Sequence, residues 1–130
     1  MRKAALLLVC VLAMPAMAER PPEFRKDADT VFTGVVQKVE ADEKPFGGDG
    51  VRTEYTARVK VTKSEKGASV VGETISVKWF HVTKAPTKPL PGAYGQKHEI
   101  KAKDEATFWA MQARGFCTVI YNKDGIEKLK

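Results

Sequence analysis

Cysteine and histidine are scarce: the 130-residue chain holds two of each, Cys10, Cys117, His81 and His98. So few cysteines exclude a disulfide-stapled scaffold, and without a Cys-x-x-Cys pair there is no spacing suited to thiol redox work. Aromatic residues form only 8% of the sequence, and 10 Gly with 7 Pro are too few for collagen-like or low-complexity chains. No heptad, internal repeat, Walker sequence or dinucleotide fingerprint is found, which removes coiled coils and the common nucleotide-binding folds. No apolar run approaches the roughly 20 residues that a membrane-spanning helix needs. Charge of one sign is also limited: 22 Lys and Arg against 16 acidic residues give a formal +6, spread along the chain and not gathered into a basic tract.

What is present begins with a targeting pattern. Arg2 and Lys3 precede an apolar run from Ala4 through Met14, and Ala16-Met17-Ala18 supplies a small-x-small cleavage site. Residues 1–18 therefore read as a secretory signal peptide, which places residues 19–130 outside the cytoplasm as one secreted or periplasmic domain. Losing Arg2 and Lys3 lowers the formal charge from +6 to +4. Cys10 leaves with the peptide, since bulky Val9 stands where a lipoprotein site needs a small residue. Cys117 then has no partner within the chain and reads as a small buried apolar residue, with pairing to another chain or thiol chemistry as alternatives.

The mature sequence alternates as strands do. Ala28 to Glu40 is rich in β-branched residues on both parities, which predicts a strand covered on two sides or shifted at a bulge near Gly34. Pro45 to Gly50 reads as a flexible loop. Arg52 to Lys63 sets Tyr55, Ala57, Val59 and Val61 against Glu54, Thr56, Arg58, Lys60 and Thr62, the period-two pattern of a strand with one wet face. Glu73 to Phe80 repeats it, with Ile75, Val77 and Trp79 inward. The stretch from Thr83 to Gly95, with Pro86, Pro89 and Pro91, predicts a long surface loop, and Lys97 to Lys101 a short strand. Glu105 to Gln112 carries helix formers but also Thr107-Phe108-Trp109, and is assigned as a strand. Phe116 to Tyr121 and Ile126 to Leu129 are expected to form a closing hairpin across Asn122-Lys123-Asp124-Gly125. Five to seven short strands predict an all-β domain closed as a small barrel or sandwich, because an open meander would expose an apolar face and two edges.

The runs PPEFRKDADTVFTGVVQKVE, YTARVKVTKSEKG and GETISVKWF together resemble the opening of netrin-like domains related to the tissue inhibitors of metalloproteinases. The likeness lies in Ala28-Asp29, Val31-Phe32-Thr33-Gly34, Lys66-Gly67 and Gly72-Glu73, and covers Pro22 to Phe80 best. It implies a small Greek-key barrel of the oligonucleotide/oligosaccharide-binding (OB) type with a short N-terminal helical segment. The animal inhibitors act through an N-terminal cysteine that reaches the enzyme's zinc. The expected mature start here is Glu19-Arg20-Pro21-Pro22, so the resemblance implies a fold and not inhibition by chelation.

No residue set stands out as catalytic, cofactor-binding or metal-ligating, and no cofactor is expected. The leading expectation is a non-enzymatic barrel that binds a protein or an extracellular polymer, with Phe108, Trp109, Tyr94 and Arg114 as the interaction surface. In a strand, Phe108 and Trp109 point to opposite sides, one into the core and one outward. The alternatives are a thiol- or metal-dependent enzyme using His81, His98 and Cys117, with Glu99, Asp104 or Glu105 as oxygen ligands, and a nucleic-acid-binding barrel. The last would stack bases on Tyr55, Trp79, Phe80, Trp109 and Tyr121 beside Arg58, Lys60, Lys78 and Arg114. Against it, Tyr55 and Trp79 lie on the apolar parity of their strands, and secretion separates the domain from cellular DNA and RNA.

Overall fold

The computed structural model describes residues 22–129; the segment read as a signal peptide lies outside the described residues. A 3-10 turn at Arg25–Asp27 leads into β1 (Thr30–Phe46), β2 (Gly50–Lys66) and β3 (Thr74–Lys84). After a long irregular segment come β4 (Glu105–Ala113), β5 (Phe116–Val119), a second 3-10 turn at Lys123–Gly125, and β6 (Ile126–Lys128). Thus the N-terminal helical segment implied by the resemblance is a single three-residue turn. Among the described residues no helix is long and apolar enough to cross a membrane.

The sheet runs β1-β2-β3-β5-β4, and β4 pairs back onto β1, which closes a small all-β barrel. All of its joints are antiparallel except β3–β5, which is parallel. The sixth strand is an addition. β5 covers only Ala110 to Ala113 of β4, and β6 takes the stretch of β4 from Ala106 to Phe108. The expected hairpin between β5 and the C-terminal strand is therefore not formed; β6 satisfies the β4 backbone that β5 leaves unpaired.

The sequence pattern explains most of the wall. On β2, Ala57, Val59 and Val61 are buried while Arg58, Lys60 and Thr62 are exposed. β1 carries register shifts between Val31 and Phe32, Thr33 and Gly34, and Val36 and Lys38. These bulges bend the strand so that Val31, Phe32, Thr33 and Gly34 are all buried. At Gly34 a Cβ would lie 2.5 Å from the Lys60 carbonyl oxygen, so only glycine permits that approach to β2. Phe32 and Phe108 stack at 5.3 Å across the β1–β4 joint and sit at the centre of the core with Val36, Val59, Val77 and Cys117.

Two expected loops changed shape. Pro45 to Gly50 is not a free loop: β1 continues to Phe46 and β2 starts at Gly50, which leaves a tight turn at Gly47 to Asp49 with φ of +64° and +86° at the two glycines. The irregular stretch runs over residues 85–104, and Lys97 to Lys101 forms no strand. That stretch is anchored at its start. Thr87 donates its N–H at 2.8 Å and its hydroxyl to the two carboxylate oxygens of Asp49, which holds the Asp49 carboxyl below its ordinary range. Tyr94 then packs edge-on against Phe46 at 5.3 Å.

Candidate functional site

The parallel joint is the barrel's shortest. β3 and β5 share two residue pairs, Val77 with Cys117 and Lys78 with Thr118. Beyond them β3 runs on to Lys84, while the segment after β5 turns away as Ile120 donates its N–H to the Trp109 carbonyl at 3.0 Å. The free edge of β3 is met by the irregular stretch instead. Gln96 N–H donates to the Phe80 carbonyl at 2.9 Å, Val82 N–H to the Tyr94 carbonyl at 2.8 Å, and His81 bridges to Gly95. Gly95 N–H also donates to the Tyr121 hydroxyl at 2.9 Å. Gly95 has φ +80°, and a Cβ there would sit 2.1 Å from the Phe80 carbonyl oxygen, so this crossing requires glycine.

A cleft of about 200 Å³ lies where these segments part. Arg52, Trp79, Phe80, His98, Ile120 and Tyr121 are among its lining residues. Trp79 is only 6% exposed; it stacks on Tyr55 at 5.4 Å and meets the edge of His98 at 5.7 Å. Its Nε1–H has no hydrogen-bond partner. Neither has His98 Nε2, and burial, reinforced by His81, pushes the His98 imidazole down to about 4, so it is neutral at pH 7. The Arg52 guanidinium lies 3.9 Å over the Phe80 ring. Arg52 Nε is ion-paired with Glu54 Oε2 at 3.3 Å, and this buried atom too makes no hydrogen bond. Buried polar atoms are normally paired. Among the described residues these three buried side-chain atoms are the exceptions, and all belong to residues of one cleft.

A wider depression of about 370 Å³ lies between the β2–β3 and β4–β5 turns. There Glu73 Oε1 accepts from Val70 N–H at 2.6 Å and Gln112 Nε2 donates to the Ala113 carbonyl at 2.8 Å. Glu73 and Gln112 are thus engaged, and the smaller, more apolar cleft is the better candidate site.

The four residues expected to form an interaction surface are dispersed. Phe108 is fully buried and cannot belong to a surface; it is the inward ring of the Phe108-Trp109 pair. Trp109 faces outward under the Arg25 guanidinium, 3.7 Å from its ring centroid, and Arg25 is itself held by the Asp124 carbonyl at 2.9 Å. Arg114 is exposed in the β4–β5 turn. Tyr94 lies beside the β1–β2 turn, where its hydroxyl donates to the Leu90 carbonyl at 3.0 Å. The register of β1 with β4 puts those two turns at opposite ends of the barrel.

Cys117, Asp104 and Glu99 of the enzyme reading are engaged elsewhere. Cys117 is buried, and its Sγ donates to Gln112 Oε1 at 3.4 Å, not to a histidine. Burial, with Asp29 and Glu73 nearby, pushes the thiol up to about 11, which suppresses the nucleophilic thiolate. Asp104 accepts from Lys101 N–H at 2.9 Å, and Glu99 lies 3.5 Å from Lys97. Among the described residues no three His, Cys, Asp or Glu side chains come together as a metal site.

Five members of the cleft, Arg52, Gln96, Thr118, Val119 and Ile120, had no place among the expected site residues. Arg52 stood only as the first residue of a strand, and Gln96 was not singled out. One signal was available: Phe80 shares parity with Ser76 and Lys78, and an aromatic ring on the polar face of a strand marks a place where that face is covered. Compared with known proteins, the chain matches no protein-family model, no curated protein and no solved structure.

Proposed function

We propose that the chain is a secreted or periplasmic, non-enzymatic binding domain that takes a group of a protein or extracellular polymer into the cleft between β3 and β5. The observation that carries this reading is the partly apolar cleft itself, lined by Trp79, Phe80, His98, Ile120 and Tyr121, with the Arg52 guanidinium 3.9 Å over the Phe80 ring. A cleft of about 200 Å³ is smaller than the roughly 300–1,000 Å³ typical of sites for whole drug-sized ligands, so it suits one projecting group of a larger partner. The buried, protonated Cys117 supports a role without thiol catalysis. The strand order β1-β2-β3-β5-β4, closed on β1 with a parallel β3–β5 joint, supports an OB-type Greek-key barrel and, with the Pro22 to Phe80 resemblance, netrin-like kinship.

Two measurements test the reading. Expression of the full chain in a bacterial host with two membranes is expected to yield periplasmic protein that begins at Glu19 by mass spectrometry. Cytoplasmic protein that retains Met1 would refute secretion. In NMR titrations with peptides and polysaccharides, the Trp79 indole N–H signal is expected to move more than that of Trp109. Binding that moves Trp109 and leaves Trp79 still would place the ligand elsewhere.

A further inference from the structure

β3 pairs with β2 along one edge and changes partner along the other. On that second edge β5 meets Val77 and Lys78, and the irregular stretch meets Phe80 to Val82. Among the described residues no segment pairs with Thr74 to Ser76 there. Alternate residues of an antiparallel ladder turn their N–H and C=O groups to the same side. The register with β2 is unshifted from Thr74 to Val82, so Thr74 and Ser76 turn theirs as Phe80 and Val82 do, away from β2. What lies beside them is the depression of about 370 Å³, with Thr74, Ile75 and Ser76 on one side and Gln112, Gly115 and Phe116 on the other. Thr74 is exposed and Ser76 half-buried, so this edge is open to an incoming chain.

Edges are usually guarded by charge or proline. The free part of β1 has Lys38, Glu40, Asp42, Lys44 and Pro45. Thr74-Ile75-Ser76 has neither device, and two of its residues are β-branched. The depression also selects charge. Arg58 is the β2 register partner of Ser76 yet lines the depression, so its side chain reaches across the small serine. Among the described residues it makes no ion pair. Arg114 stands exposed next to Gly115. The one carboxylate of the lining, Glu73, already accepts from Val70 N–H. Val70 and Val71, each 60% exposed, project from the turn that supplies Ala68 and Ser69 to the lining. That turn is braced by the Ser64 and Ser69 hydroxyls at 2.8 Å and by Gly72 N–H donating to the Val61 carbonyl at 2.8 Å.

We infer that the Thr74–Ser76 edge of β3 receives an extended segment of a protein partner, which adds a strand in the depression and sets an acidic side chain against Arg58. Main-chain hydrogen bonds supply the affinity, and the side chains that alternate along the segment supply the selectivity. This surface lies on the other side of the two-residue joint from the β3–β5 cleft and does not depend on a ligand there.

The test follows backbone amide signals and hydrogen exchange by NMR, on protein purified after expression of the full chain. The probes are the peptide acetyl-Thr-Val-Asp-Val-Thr-Val-amide, its Asn counterpart, and two forms of it N-methylated at alternate residues. The Asp peptide is expected to move the Thr74 and Ser76 amide signals and slow their exchange. One methylated form should lose binding and the other keep it, since an added strand offers one edge to β3. The Asp peptide should bind about threefold tighter than the Asn form, as an exposed ion pair gives, and Arg58→Gln should remove that difference. Thr74→Pro removes an edge N–H at the first residue of a strand, where proline is tolerated, and should weaken binding at least about threefold. Arg58 is exposed, so R58Q gives an answer even if T74P folds poorly. Equal effects of the two methylated forms would overturn strand addition, and equal binding of the Asp and Asn peptides would overturn the acidic partner. A peptide that moves Trp79 and leaves Thr74 and Ser76 still would assign the other cleft and overturn this one. Protection of both amides that rises with protein concentration alone would make a second copy the occupant and overturn the separate partner. No response of Thr74 and Ser76 to any peptide at millimolar concentration would overturn the inference.

Discussion

Lowering the pH from 7 to 5 should destabilise the fold through one side chain, His98. Burial holds its imidazole at about 4 in the native state against 6.5 when free. At pH 5 the unfolded chain carries a proton at this position almost completely, while the folded chain is about one-tenth protonated. The unfolded state thus binds more protons, so stability present above pH 6.5 is lost as the pH falls towards 4. Integrating between these two values gives a loss of about 2 kcal/mol from pH 7 to pH 5, and about 3 kcal/mol once the pH is below 4. Most carboxylates titrate below this window, so they contribute little to it. The assay is urea unfolding followed by tryptophan fluorescence at intervals between pH 7 and pH 5, on the natural protein and on His98→Gln. The natural protein should lose about 2 kcal/mol more than the variant over that interval, whatever their relative stability at pH 7. Equal losses in the two proteins would refute the claim that His98 is buried neutral.

Three further outcomes follow from the barrel's interior and its turns. The hydroxyls of Thr33 and Thr107, a buried cross-strand pair on the β1–β4 wall, meet at 2.7 Å, so Thr107→Val should cost about 1–3 kcal/mol in urea unfolding by leaving Thr33 unpaired. T33V/T107V should recover part of that loss, and a double variant less stable than both singles would contradict the account. Gly95→Ala should destabilise by well over the ~1 kcal/mol of backbone strain alone and disturb the Trp79 indole signal, because its Cβ would strike the Phe80 carbonyl. Gly48→Ala is the matched control, since its φ is +86° with nothing within 4 Å; equal losses at both glycines would show that the crossing at Gly95 is not tight. Iodoacetamide at pH 8 should label Cys117 rapidly in urea and only at the rate of unfolding in native protein, as fits a buried thiol pushed up to about 11. Rapid native labelling, read by mass spectrometry, would contradict that burial.

Elements with one wet face were legible from residue types alone. β2 alternates because its inner side meets the core and its outer side water, and Trp79 was correctly assigned to the apolar side of β3. β4 was a harder case, since Ala106, Ala110, Met111 and Gln112 favour helix; pairing with β1 on one edge and with β5 and β6 on the other overrides that preference. β1 blurred the pattern for a different reason. Each bulge shifts the parity, and beyond Val36 the strand pairs with β2 alone, so Lys38, Glu40, Asp42 and Lys44 appear as loop-like charge. Such charges suit an edge, where they discourage pairing with other chains. The partner of β6 was out of reach, because it depends on how much of β4 the preceding strand leaves uncovered.

The same limit applies to the cleft, and it ties the site to the topology. His98, Arg52 and Trp79 are far apart in sequence, and what gathers them is the divergence of β3 from β5 after two residue pairs. A longer parallel joint would have drawn the chain after β5 alongside Trp79 and Phe80 and filled this space with backbone hydrogen bonds. Around the short joint Trp79 Nε1 and His98 Nε2 are buried without a hydrogen bond, and Arg52 Nε is left to its ion pair with Glu54. A ligand that enters the cleft and binds the folded chain alone, at 100 times its dissociation constant, should raise the unfolding free energy by about 2.7 kcal/mol in urea unfolding, and no gain from a ligand that moves the Trp79 signal would contradict binding there.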